Sequence, residues 1–68
     1  NLGTEVDAPI PGDIVAFTHP LSKNAYHVGI YIGGGKMIHA INASRDTVVD
    51  DVVAFAENQD SKVAYIRY

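Results

Sequence analysis

The chain has 68 residues, no cysteine, and a formal net charge of −3 at pH 7, so no disulfide or cysteine-based zinc site can reinforce a fold that buries only about 60% of its unfolded surface. Its basic residues, Lys23, Lys36, Arg45, Lys62 and Arg67, are scattered, which argues against a nucleic-acid partner, and no apolar run approaches the roughly 20 residues of a membrane-spanning helix. With 47% hydrophobic and 19% charged residues the composition is too apolar for a disordered segment and rich enough for a packed core that a partner could complete.

In chain order, the first ten residues read as an entry loop, lacking the basic and apolar regions of a signal peptide. The stretch Asp7 to Asp13 holds two prolines and a glycine that favour turns over helix. Asp13 to Phe17 reads as a short strand, His19 to Asn24 as a loop, and Tyr26 to Ile32 as a strand of β-branched and aromatic residues. Gly33, Gly34 and Gly35 form a turn and Lys36 to Ile41 returns as the next strand. Asn42 to Asp46 is polar loop, Thr47 to Ala56 is apolar enough for a strand interrupted by Asp50 and Asp51, Glu57 to Ser61 turns, and Lys62 to Tyr68 is a final strand. There is no internal repeat and no helix of three turns. The fold class expected is mainly β, an antiparallel sheet or half-barrel.

The central hairpin carries the functional signal. If Ile32 faces Lys36, then Tyr31 opposes Met37, Gly29 opposes His39 and His27 opposes Ile41. One face then carries His27, Gly29, Tyr31, Met37, His39 and Ile41. The other carries Val28, Ile30, Ile32, Lys36, Ile38 and Ala40, an almost wholly apolar surface suited to a core. His27 and His39 become diagonal neighbours, about 7–8 Å apart at the backbone, and Gly29 leaves room for one ring to lie toward the other. Two such imidazoles can serve as a general base and the group that orients it. The apolar residues beside them require a cover, and no helix able to provide it is expected in these residues.

The other candidates carry less. His19, beside Pro20, reads as a loop residue. Gly12 and Asp13 read as turn and strand-start residues. Tyr26 and Tyr31 could border a groove or simply pack. Ser22, Ser44 and Ser61 lie in polar loops without the turn that exposes a nucleophilic serine. The three glycines lack the helix and Lys-Ser/Thr pattern of a phosphate loop.

Three separated tracts, Pro11 to Phe17, His27 to Gly33 and Lys36 to Ala40, resemble in order and spacing the NlpC-type peptidases, the NlpC and p-sixty group of papain-like enzymes acting on bacterial cell-wall peptides. The resemblance covers nearly the whole chain. It implies that residues 1–68 are the C-terminal β portion of a single α+β papain-like domain. It also implies a helical part carrying a nucleophilic cysteine, which lies upstream of the Pro-Gly-Asp strand in the family and is absent from these residues. By resemblance, His27 is the general base and His39 the orienting third residue. The implied activity is cysteine-peptidase cleavage of peptidoglycan stem-peptide amide bonds, active only with the cysteine-bearing segment or chain as partner. No cofactor and no metal is implied, and the implied location is secreted or in the cell envelope. A processed two-part enzyme, a proteolytic fragment and a truncated product are all compatible with this pattern. The alternative function is a non-catalytic binding or regulatory module derived from the same fold.

Overall fold

The structure, a computed structural model, describes residues 3–22, 24–40 and 47–68. Among the described residues, six strands and one helix follow the order β1 Thr4–Val6, β2 Ile14–Thr18, β3 Ala25–Gly33, β4 Lys36–Ala40, β5 Thr47–Asp51, α1 Val52–Asn58 and β6 Lys62–Arg67. The strands form one open antiparallel sheet in the order β1-β6-β2-β3-β4-β5. A mainly β chain built on an antiparallel sheet is therefore what the sequence encodes.

Alternation makes these strands. In β2, Val15 and Phe17 are fully buried while Ile14, Ala16 and Thr18 are only partly covered, the period of two that a pleated backbone imposes. The β3–β4 turn is made by Gly34 and Gly35, both at positive φ (63° and 77°). That is the two-residue hairpin geometry in which a side chain would be strained. Tyr31 reinforces it, since the Gly35 amide donates to its hydroxyl at 2.9 Å.

Four details differ from the sequence expectation. Thr4–Val6 is not loop but an edge strand paired with β6, a long-range pairing that leaves no local signature. The hairpin closes with Gly33, not Ile32, opposite Lys36, through an irregularity between Tyr31 and Gly33. The Tyr31–Met37 pairing is as expected, because the bulge absorbs the extra residue near the turn. The stretch expected as strand to Ala56 turns helical at Val52, and the helix continues through Glu57 and Asn58, where a turn was expected. Asp51 caps it by accepting from the Ala54 amide at 3.1 Å. The helix closes with Ser61 N–H to Ala56 C=O (2.9 Å) and Asp60 N–H to Glu57 C=O (3.3 Å), with Asp60 at φ 54°, a Schellman ending.

The fourth difference is which side of the sheet is inside. Val15, Phe17, Met37, Val52 and Ala56 form the buried cluster, with Tyr31, Phe55, Val63 and Tyr65 packed against it. The face holding Met37 and His39 is therefore the covered one, and α1 supplies the cover that was not expected in these residues. The Val/Ile face assigned to the core is exposed instead: Val28 56%, Ile30 41%, Ile32 44% and Ile38 38%, with Val49 of β5, opposite Ile38, exposed at 52%. Alternation sorts residues into two faces but cannot say which one a seven-residue helix will roof. Each fully buried side chain among Phe17, Met37, Val15 and Val52 contributes about 1.5–3 kcal/mol. The expected Asn42 to Asp46 loop and the position of Ile41 opposite His27 lie outside the described residues.

Candidate functional site

The covered face brings together three polar side chains from three adjacent strands. His27 projects from β3, His39 from β4 and Asp50 from β5. His27 Nε2 lies 2.7 Å from His39 Nδ1, and His39 Nε2 lies 2.8 Å from Asp50 Oδ2. Both contacts run diagonally. His39 pairs with Val48 and Asp50 with Met37, so the carboxylate sits two positions along β5 from the residue opposite His39. The reach between diagonal positions suits long planar groups.

Gly29 makes the first contact possible. A Cβ there would fall 2.8 Å from Met37 Sδ, 3.2 Å from His39 Cβ and 3.3 Å from the Ile38 carbonyl oxygen. The missing side chain is the space into which His39 and Met37 pack.

Aromatic rings hold the imidazoles in place. Phe55 of α1 stacks on His27 with centroids 5.2 Å apart and meets His39 edge-on at 4.9 Å. Phe17 packs beside His27 at 5.8 Å and against Phe55 at 4.9 Å. The His39 ring is fully enclosed, whereas Asp50 is 48% exposed and His27 is half-buried. Burial, reinforced by the neighbouring His39, holds His27 below the ordinary imidazole value of 6.5, because the interior disfavours a charged ring and a second imidazolium would repel it. His27 is thus neutral near pH 7 and able to take a proton.

The remaining candidates have structural partners. Asp13 is 4% exposed and clamps Arg67, whose Nε and Nη2 donate to its two oxygens at 3.0 and 2.8 Å. It also accepts from the Ile10 amide at 2.9 Å. Tyr31 serves the turn and packs edge-on against Tyr65. Tyr26 stacks on His19 at 4.1 Å and shares a hydrogen bond with the Ser61 hydroxyl. Ser22 bonds to the backbone of Asn24, and Ser44 lies outside the described residues. No group of three or more His, Cys, Asp or Glu able to hold a metal is found among the described residues.

Asp50 and Phe55 escaped the sequence reading. Finding Asp50 required the β4–β5 register, and the polar stretch between those strands has no turn signal from which to count. Phe55 required the helix.

Comparison with known proteins gives a matching family model, described as the NlpC/P60 family, over residues 2–65. A Bacillus subtilis (strain 168) protein named gamma-D-glutamyl-L-lysine dipeptidyl-peptidase is 44% identical over 39 residues, 56% of this chain and 13% of that protein. This chain therefore aligns with only a small share of that relative's length. No solved structure matches the chain.

Proposed function

The chain belongs to the NlpC/P60 family, and from that premise we propose that it is the histidine-bearing part of a cysteine peptidase that hydrolyses amide bonds in peptidoglycan stem peptides. Family membership and a relative named as a dipeptidyl-peptidase support the peptidase class. The observation that carries the finer reading is the 2.7 Å contact between His27 and His39 on a roofed sheet face. A neutral, oriented imidazole is what a thiol nucleophile needs.

In this reading a cysteine from a separate N-terminal segment or chain approaches His27, which takes its proton. The thiolate attacks the amide carbonyl, and His27 returns the proton to the leaving amine as the C–N bond breaks, leaving a thioester. His27 then takes a proton from water as its oxygen attacks the thioester, and the acid product leaves with the thiol restored. His39 holds the base ring throughout. Backbone amides near the cysteine supply the oxyanion donors. The exposed row Val28, Ile30, Ile32, Ile38 and Val49 supports completion by further structure, since an apolar surface of this kind on a small domain favours burial. A cell-wall substrate is consistent with the secreted or envelope location that the family resemblance implies.

The test is cell-wall digestion by this chain combined with its cysteine-bearing partner. His27→Ala is expected to lower the rate by about 10²–10⁴-fold, and a thiol blocker to abolish it. A His27→Ala rate equal to that of the parent enzyme refutes the role. The second reading is a non-catalytic binding or regulatory module derived from the same fold. Intact-mass analysis finding no cysteine-bearing partner with the purified protein favours it.

A further inference from the structure

We propose that Asp50 is a positioning residue that fixes the proton on each ring of the imidazole pair, leaving Nδ1 of His27 as the basic nitrogen. For catalysis this rests on the peptidase reading above; for the proton arrangement it rests on geometry alone.

Each contact allows one proton between its two heavy atoms. An ionised carboxylate can only accept, so the proton in the 2.8 Å contact to Asp50 Oδ2 belongs to His39 Nε2. A neutral His39 then has a bare lone pair on Nδ1. The proton in the 2.7 Å contact must therefore sit on His27 Nε2. A neutral His27 is in turn bare at Nδ1, which has no hydrogen-bond partner among the described residues. One carboxylate thus sets the tautomer of a ring it does not touch, through His39.

The surroundings leave this task to Asp50. Phe17 from β2, Phe55 from α1 and Tyr26 of β3 are the other rings against His27, and Phe55 also covers His39. The two phenylalanines have no acceptor for an imidazole proton, and the Tyr26 hydroxyl is bonded to Ser61. Without the carboxylate, His39 is free to carry its proton on Nδ1. His27 Nε2 must then accept, and the His27 proton moves to Nδ1, the nitrogen the thiol needs bare. Asp50 also lies on an edge strand, half exposed, where its replacement leaves the packed core intact. Its neighbour Asp51 points elsewhere, capping α1, and provides a control.

The experiment is long-range ¹H–¹⁵N correlation of the histidine rings in the full chain, at a pH above the imidazole range, ~8. In the parent chain both His27 and His39 are expected as single tautomers protonated at Nε2. Asp50→Ala is expected to convert both to mixtures, while Asp50→Glu restores the parent pattern and Asp51→Ala leaves it unchanged. A parent His27 protonated at Nδ1 overturns the proposal, and so do unchanged tautomers in Asp50→Ala. In the enzyme assembled with its cysteine-bearing partner, Asp50→Ala is expected to lower kcat by about 10–100-fold with KM nearly unchanged, and an unchanged kcat overturns the catalytic consequence. Failure of the peptidase reading has a different signature: the tautomers follow Asp50 as stated, yet the parent assembly shows no hydrolysis.

Discussion

Gly29 shows how one absent side chain organises the site. Replacing it with alanine puts a methyl 2.8 Å from Met37 Sδ and 3.3 Å from the Ile38 carbonyl oxygen, and the second of these is backbone that cannot step aside. We expect Gly29→Ala to cost about 1–3 kcal/mol of stability, measured by urea denaturation, and to separate the His27 and His39 rings. A variant of unchanged stability would mean that the strand yields without strain. This residue was legible in the sequence, because Tyr31 opposite Met37 is enough to bring His39 over Gly29 whatever happens nearer the turn. The third polar partner was not. Asp50 looked like an interruption of an apolar stretch, since a charged residue on an edge strand acquires a purpose only once its strand is placed beside His39.

At the scale of elements, α1 matters beyond its seven residues. A helix this short is marginal by itself, so its persistence comes from Asp51 at one end, the Schellman ending at the other, and Phe55, Val52 and Ala56 pressed into the sheet face. Asp51→Ala removes the acceptor for the Ala54 amide and is expected to destabilise the chain by about 1 kcal/mol. The midpoint of thermal unfolding should fall accordingly, and an unchanged midpoint would show that packing alone sets the helix. The helix was hidden from the sequence because Val48, Val49, Val52 and Val53 suggest continued strand, while the Asp51 cap that breaks the run is one residue without the usual acidic first turn. The identity of the inner face was hidden for the same reason: both faces of the hairpin are apolar, and only the element lying over one of them decides.

For the molecule as a whole, the Asp13–Arg67 clamp ties the start of β2 to the end of β6, and Arg67 reaches on to the Ala8 carbonyl at 3.4 Å. The hydrogen bonds from Arg67, then the Ile10 amide, hold Asp13 below its ordinary value of 3.8. A carboxylate depressed in the folded state contributes stability above its unfolded value, about 3.9, and that contribution is lost as the pH falls through the lower folded value. Stability followed by urea denaturation should therefore decline on acidification below about pH 4, and decline less steeply in Asp13→Asn. Equal slopes in the two proteins would place the acid sensitivity elsewhere. The Pro-Gly-Asp tract was correctly read as structural from its turn residues, although its arginine partner, 54 positions away, could not be named from spacing.

The path of the backbone between β5 and β6 has a consequence of its own. The polypeptide leaves one border of the sheet at β5 and rejoins it beyond β4, β3 and β2, so the segment roofing the imidazoles is also a strap buckled at both ends. At one end Val52 N–H donates to the Gly35 carbonyl at 2.9 Å, and at the other β6 pairs with β2. The position of that strap depends on distant pairing, so a change that weakens the β6–β2 ladder is expected to loosen the cover over His27 without altering any residue beside it.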